Sequence, residues 1–339
     1  MGHKYGLKLD VNAHIMPKKY MDALLDAGGE KFYQRASTEA QVTLWDMDRR
    51  RQLMDRYEGL MHIINMGMPP VEHVISDKQK CIELAQMGND EMAELIYKYP
   101  DYFPAGAASL PMNSIDDALK EIDRAIRNLK FRGIKITSPA HGKPLDSPEF
   151  EPIYEKMCEY DLPILVHPLR PAGVADYAGE ESSKYRINAV LGWVYETSCM
   201  MLRLTFSGIM QRFPNLKIVT HHAGGFIPYL ETRIEGQYDA AEMRRHEDHR
   251  LGLSRPPIEY LKRFYHDTAL YGHTPGLMCC HAFCGADKML FGTDFPMCSE
   301  LGNRYTRETI NAIEGMEISD DEKEMIFDKN ARRLFQLPL

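Results

Sequence analysis

Four polar clusters in this sequence follow short apolar runs, and they contain the residue types that bind divalent metals. They read Asp10-Val11-Asn12-Ala13-His14, Val166-His167-Pro168, Thr220-His221-His222 and Thr293-Asp294-Phe295. Imidazole nitrogens and carboxylate oxygens are the ligands that borderline divalent ions prefer. A single histidine at the end of an apolar strand is usually a packed core residue, but several such clusters together favour a metal site.

Eight short apolar runs could position these clusters, because helix-length amphipathic stretches separate each run from the next. We predict strands at residues 7–14, 62–66, 103–110, 131–137, 162–168, 216–222, 264–269 and 289–296. Several of these runs are continuously hydrophobic or β-branched, as expected for buried parallel strands. Eight strands alternating with helices in 339 residues predict an α/β fold of the (β/α)8 TIM barrel type.

The C-terminal ends of parallel strands meet on one face of such a barrel, so we expect the four clusters to lie together there. Asn12 and His14 are two residues apart and should point to the same side of the first strand. Two longer irregular segments, residues 16–38 and 169–189, follow strands 1 and 5 and are expected as loop insertions over that face. With no linker or internal repeat in view, we expect residues 1–339 to form a single domain.

Charge and composition exclude several classes of protein. The chain has 41 Lys and Arg against 49 Asp and Glu, a net charge of −8, so we do not expect nucleic acid as a partner. No apolar run reaches the roughly 18 residues that a membrane span requires, so we expect no membrane association. Seven scattered cysteines, an odd number, favour a reducing cytoplasm over a disulfide framework.

An ordered set of motifs extends over nearly the full length of the chain. It includes Gly133-Ile134-Lys135, Val166-His167-Pro168, Arg212-Phe213-Pro214-Asn215, His222-Ala223-Gly224-Gly225 and Gly292-Thr293-Asp294-Phe295-Pro296. With these motifs the chain resembles the decarboxylase branch of the amidohydrolase superfamily, which includes aminocarboxymuconate-semialdehyde and hydroxybenzoate decarboxylases. The resemblance implies a metal-dependent non-oxidative decarboxylase that acts on a small aromatic or dienoic carboxylic acid.

The same resemblance implies roles for four residues. His14, His167 and Asp294 would bind one divalent metal, for which we expect zinc, with manganese as the alternative. His222 would be an acid/base beside the substrate, and either His222 or Asp294 would donate the proton. Family members carry His or Glu two residues before His14, where this chain has Asn12. A carboxamide oxygen is neutral and a poorer ligand, so Asn12 either binds the metal weakly or only holds a metal-bound water.

Several further assignments stay open. Arg51, Arg170 and Arg233 are candidates for binding a second anionic group of a small carboxylate substrate. Lys135 leaves open a two-metal site, because some amidohydrolases carry a carbamylated lysine at the end of strand 4. A hydrolase or hydratase, or a metal-poor relative that only binds a ligand, are alternative functions, since one scaffold hosts several chemistries. Family members lead us to expect a homodimer or homotetramer.

Overall fold

A computed structural model describes residues 5–28, 35–243 and 252–339, and within them eight parallel strands pair in sequence order. Bonds from Val11 N to Phe291 O (2.9 Å) and from His14 N to Phe295 O (2.7 Å) bring the last strand back to the first. The predicted TIM barrel is therefore confirmed. The strands are β1 (Lys8–Ile15), β2 (Leu60–Met66), β3 (Ala105–Ser109), β4 (Ile134–Ser138), β5 (Ile164–Pro168), β6 (Ile218–Thr220), β7 (Tyr265–Asp267) and β8 (Met289–Leu290).

Helices connect the strands and cover the outside of the barrel. They are α1 (Lys18–Gly28), α2 (Arg35–Ala40), α3 (Met47–Met54), α4 (Val71–Val74), α5 (Lys78–Lys98), α6 (Ile115–Arg127), α7 (Glu151–Tyr160), α8 (Trp193–Phe206), α9 (Ile209–Arg212), α10 (Glu231–Met243), α11 (Pro257–Leu261), α12 (Thr274–Cys284), α13 (Asn303–Glu314), α14 (Asp320–Glu324) and α15 (Asn330–Leu334). Single 3-10 or π turns lie at Val42–Leu44, Pro148–Phe150, Asn188–Gly192, His222–Gly224, Pro228–Leu230, Ala286–Lys288 and Met325–Lys329. Across the described ranges, none of the helices combines the length and apolarity needed to cross a bilayer.

The segment after β1 differs from its prediction. The sequence predicts an irregular stretch over residues 16–38, but α1 and α2 occupy most of its described part. Tyr20, Met21, Leu24 and Leu25 recur at helical spacing and are buried against the core, so their packing stabilises a helix there. The predicted insertion after β5 is irregular over residues 169–186, as expected.

Two apolar clusters fill the molecule, one between the strands and the helices and one inside the barrel. The C-terminal residues Leu334, Phe335 and Leu337 belong to the inner cluster and close the N-terminal end of the barrel. The polar clusters therefore lie at the opposite end, where the strands terminate. The strand residues of the inner cluster are Leu9, Val11, Ile63, Ala105, Ala107, Leu165, Val219 and Leu290.

A register shift in β1 determines which of its side chains face inward. The pairing of β1 with β2 is irregular between Asp10 and Ala13. Val11, before the shift, belongs to the inner apolar cluster, whereas Ala13, after it, belongs to the outer one. A bulge re-aims side chains in this way, so Asn12 and His14 follow Val11 on the inner side of the strand. The inward-facing side chains of β1 thus change from apolar to polar along the strand.

Strands β6 and β8 end earlier than predicted. The sequence predicts strands at residues 216–222 and 289–296, but β6 ends at Thr220 and β8 at Leu290. After β8 the backbone bonds to the neighbouring loop, with Gly292 N donating to the Thr268 hydroxyl (3.0 Å). Asp294 then takes a positive φ of 62°, which no strand permits. The polar residues that follow both strands consequently lie on turns above the barrel.

Candidate metal site and active site

Three histidines from different parts of the chain converge at the C-terminal end of the barrel. They are His14 on β1, His167 on β5 and His221 directly after β6, and one ligand atom of each lies within 4.8 Å of those of the others. The ring centroids of His167 and His221 are 4.4 Å apart. Burial lowers the pKa of each imidazole well below its ordinary value. The rings are therefore neutral near pH 7, which is the form that binds metals.

An oxygen atom lies close to the Nδ1 nitrogen of each of these three rings. Asn65 Oδ1 lies 2.8 Å from Nδ1 of the ring on β1, and the carbonyl oxygen of Pro168 lies 2.7 Å from that of the ring on β5. Asp267 Oδ2 lies 3.2 Å from Nδ1 of the ring after β6. An acceptor beside Nδ1 favours the tautomer with the ring hydrogen there, in which the lone pair of Nε2 can bind a metal. The arrangement therefore suits a divalent ion.

Asp294 brings a carboxylate to the same place. Its Oδ1 lies 3.0 Å from Nε2 of His14, and its Oδ2 accepts a hydrogen bond from the Tyr271 hydroxyl at 3.0 Å. Two ligands bound to one ion at about 2.1 Å each stand roughly 3.0–3.4 Å apart, so His14 and Asp294 fit one coordination sphere. Burial raises the pKa of Asp294, whereas His222, Tyr271 and Lys135 act in the opposite direction.

Backbone strain is concentrated at this end of the barrel. Asp294, Tyr271 and His222 have φ values of 62°, 55° and 56°, in the left-handed region that non-glycine residues rarely adopt. Each such residue costs roughly 1–2 kcal/mol, which the surrounding packing must offset. The Tyr271 hydroxyl also lies 3.3 Å from Nε2 of His222, so it connects this histidine to Asp294.

The amide nitrogen of Asn12 contacts Asp267 and His221. Its Nδ2 donates to Asp267 Oδ2 at 2.8 Å and also closely contacts Nδ1 of His221. Its Oδ1 is buried and has no hydrogen-bond partner among the described residues. The amide of Asn12 therefore completes the hydrogen bonding of Asp267, which in turn contacts His221.

Lys135 contacts the Nδ1 side of the His14 ring, not its Nε2 side. Its amine is 3.0 Å from Nδ1 of His14 and donates to Asn65 Oδ1 (2.9 Å) and to the carbonyl oxygen of Met66 (2.6 Å). Burial lowers the pKa of Lys135 to about 7, although Asp294 raises it. Nδ1 is the side of His14 opposite to Nε2, so this placement favours a role in positioning His14 over the metal-bridging role of a two-metal site.

A cavity of about 520 Å³ opens beside Asp294. Trp193, Tyr271 and Tyr305 form aromatic walls, and the rings of the two tyrosines stack with their centroids 4.0 Å apart. Arg186 and Arg304 also line the cavity, and neither forms an ion pair with an acidic group in the described part of the chain. This volume accommodates a small organic molecule, and the two guanidinium groups favour an anionic one.

The chain matches the family model described as Amidohydrolase over residues 9–337. The chain belongs to the amidohydrolase family. Similar proteins are the 2-amino-3-carboxymuconate-6-semialdehyde decarboxylase of Dictyostelium discoideum, 27% identical over 96% of this chain and 90% of that protein, and a gamma-resorcylate decarboxylase of a Rhizobium species, 30% identical over 88% and 90%. A solved structure of a dihydroxybenzoic acid decarboxylase from Polaromonas, with bound manganese and 2-nitroresorcinol, superposes with a TM-score of 0.79 at 26% identity over 98% and 97%. The resemblance drawn from the motifs is confirmed.

The three arginines predicted from the sequence of this amidohydrolase do not line the cavity. Arg51 donates to Asp48 at 2.6 Å and stacks over the ring of Tyr99, which precedes β3 and so lies toward the other end of the barrel. Arg170 donates to a backbone carbonyl of its own loop, and Arg233 is exposed on α10. Local sequence does not mark Arg186 or Arg304, because one lies in the irregular segment after β5 and the other on α13.

The four residues predicted as metal or acid/base residues, His14, His167, His222 and Asp294, do come together. His221 is the member of the imidazole cluster that the sequence analysis does not assign. The signal was present, because two adjacent histidines follow strand 6 and a turn can direct both toward the same end of the barrel. Only His222 is assigned from sequence, because the family resemblance implies a role for it, and strand alternation would send its neighbour His221 to the opposite side.

Proposed function

We propose that this amidohydrolase is a metal-dependent decarboxylase of a small aromatic or dienoic carboxylic acid. The placement of Asp294 carries the proposal, because one of its oxygens faces His14 while the residue also borders the cavity. A single carboxyl group can thereby connect a metal site to a bound substrate. The similarity to decarboxylases of aromatic acids and of a carboxymuconate semialdehyde supports this chemistry over hydrolysis.

His14, His167 and Asp294 would hold one divalent ion in this proposal. When bound, the ion supplies the positive charge that holds the substrate carboxylate and a neighbouring oxygen in place. The manganese bound in the Polaromonas relative makes manganese the first choice for this chain. Zinc, which the sequence analysis favours, has no such support and becomes the alternative.

The cavity would bind the substrate through its aromatic walls and its two arginines. A planar ring would stack on these aromatic walls, which include Trp193 and Tyr305. Arg186 and Arg304 would attract an anionic group of the substrate, since no acidic side chain of the described residues pairs with them. The predicted partner, a small carboxylate, therefore has a matching binding site.

Asp294 is the better placed of the two predicted proton donors, because it lines the cavity and His222 does not. Burial raises the pKa of Asp294 above its ordinary value. Asp294 would give its proton to the substrate carbon that bears the carboxylate. The bond between that carbon and the carboxylate carbon would then break, the electron pair of this bond would return to the ring, and CO2 would leave. The Tyr271 hydroxyl would stabilise the resulting carboxylate and, at 3.3 Å from His222, connect it to a source for reprotonation.

The remaining predictions rest on the sequence. We propose a single domain over residues 1–339, a homodimer or homotetramer, and a cytoplasmic location, the last supported by the seven free cysteines. An analytical ultracentrifugation experiment would establish the oligomeric state.

Metal analysis of the Asp294→Asn variant tests the proposal. The wild-type protein, saturated separately with manganese and zinc, should retain about one divalent ion per chain. The variant should bind the ion more weakly and should release no CO2 from a panel of hydroxybenzoates and muconates. Asp146→Asn is the matched control, because Asp146 pairs with Arg203 outside the site and its loss should change neither measurement.

Two outcomes would contradict the proposal. Wild-type protein holding less than about a tenth of an equivalent of metal under saturating conditions would remove the metal dependence. Turnover of these acids by addition of water, or hydrolysis of lactones, without CO2 release would instead establish a hydratase or a hydrolase.

A further inference from the structure

In the set of metal ligands that the family resemblance implies, the position on strand 1 carries no strong metal ligand in this chain. The resemblance implies a histidine or a carboxylate on the first strand, and Asn12 stands there in this chain. Its amide nitrogen is directed to Asp267 and His221, so it presents no imidazole and no charge to an ion. A set of His14, His167 and Asp294 alone has only two imidazoles.

His221 has the features expected of a metal ligand. Its side chain is 3% exposed, and its Nε2 atom is buried with no hydrogen-bond partner among the described residues. An unpaired buried polar atom is unfavourable, and a bound ion would give it a partner. Its ring lies beside that of His167, with 4.4 Å between their centroids.

Asp267 and Asn12 determine the orientation of the His221 ring. Asp267 Oδ2 lies 3.2 Å from Nδ1 of His221 and accepts a hydrogen bond from Asn12 Nδ2 at 2.8 Å. Asp267 Oδ1 accepts hydrogen bonds from the backbone nitrogens of Ala223 (3.3 Å) and Ala269 (3.1 Å), so the carboxylate cannot rotate freely. A carboxylate fixed at Nδ1 sets the tautomer and makes Nε2 the better ligand.

We infer that His221 takes the metal position that strand 1 leaves open at Asn12, and that Asp267, held by Asn12, keeps it there. His14, His167 and His221 would then hold the ion with three imidazoles, together with the carboxylate of Asp294. Asn12 acts as a positioning residue in this arrangement. The inference rests on the metal-dependent function proposed above and specifies its ligand set.

Metal affinity and ligand counting test this inference without recourse to activity. The manganese and zinc dissociation constants are measured by competition with a chelator, and X-ray absorption of the loaded protein counts the imidazoles. His221→Gln should weaken metal binding about 100-fold or more and reduce the imidazole count from three to two. His281→Gln is the matched control, since this histidine of α12 pairs with Glu322 outside the site and its loss should leave affinity and count unchanged.

Asp267→Asn provides a second reading if the His221 variant does not fold. It should keep three imidazoles but weaken metal binding roughly 10- to 100-fold, as loss of an orienting group does. Two imidazoles in the wild-type protein, or equal affinity in wild type and His221→Gln, would overturn the inference while leaving the proposed function intact. A wild-type protein that binds no metal would instead overturn the proposed function.

Discussion

Removing one hydroxyl group, in Tyr271→Phe, separates the proton-transfer role of this end of the barrel from its metal-binding role. The Tyr271 hydroxyl donates to Asp294 Oδ2 at 3.0 Å, and burial raises the pKa of Tyr271, so it remains a donor at any working pH. The substitution keeps the ring that stacks on Tyr305 and therefore keeps the cavity wall. It removes the hydrogen bond to the carboxylate that forms when Asp294 gives up its proton.

A hydrogen bond to a charged group contributes about 1.5–3 kcal/mol. If that contribution is realised when Asp294 becomes a carboxylate, its loss should lower kcat/KM by roughly 10- to 150-fold. KM should change much less than kcat, because the substrate contacts of the aromatic walls and arginines persist. Metal affinity should fall by a smaller factor than kcat, since Asp294 Oδ1 and the imidazoles are unchanged.

Steady-state kinetics with CO2 detection, carried out over a range of metal concentrations, provides the assay. Tyr102→Phe is the matched control, because the Tyr102 hydroxyl also donates to a carboxylate, Asp55, at 2.6 Å but in an exposed position next to β3. Less than a twofold change in Tyr271→Phe, or full recovery of its activity with excess metal, would show that the hydroxyl has no part in proton transfer.

Three further perturbations follow from the structure. Glu72 is buried, and its pKa is raised from 4.5 to about 7. The free energy of unfolding should therefore fall by up to roughly 3 kcal/mol as pH rises through that window, because the unfolded chain ionises first. Urea unfolding of metal-free protein near pH 5 and pH 8 should show a smaller difference in this free energy for Glu72→Gln than for the wild type. Arg186→Gln and Arg304→Gln should each raise KM roughly 3- to 10-fold for acids with a second anionic group and less for simple benzoates, and an equal effect on both classes would refute that role. Gly225→Ala should lower the free energy of unfolding by about 2–5 kcal/mol, because φ is +63° and the added Cβ would lie 2.4 Å from the Val194 carbonyl oxygen. Gly179→Ala is the control and should be nearly neutral, because open space surrounds Gly179.

The type of fold was accessible from sequence because it depends on repeating local patterns. Buried parallel strands are continuously apolar, and eight such runs separated by helices leave few architectures. The positions of His14, His167 and Asp294 followed from the same reasoning, since strand ends of a barrel share one face. Boundaries were less accessible: residues 16–38 contain α1, and the predicted strand 8 ends at Leu290, after which Gly292 bonds to the Thr268 side chain and Asp294 adopts a left-handed backbone.

Contacts between residues distant in sequence decided the details of the site. Asn12 and Asp267 are 255 positions apart, yet their hydrogen bond determines where the amide of Asn12 points and how His221 is held. The bulge in β1 and the left-handed backbone at Asp294 likewise depend on neighbouring strands and loops. The same applies to the cavity, which Arg186 and Arg304 line and the arginines selected from sequence do not.

Residue types and hydrophobic spacing thus determined the barrel, the end at which its chemistry lies and most of its polar residues, because these follow from local periodicity and from the common direction of parallel strands. Tertiary structure decided which nitrogen or oxygen of each residue is free, which histidine joins the cluster and which cations line the cavity. Those properties depend on hydrogen-bond partners brought together by folding, and a sequence pattern carries no record of them.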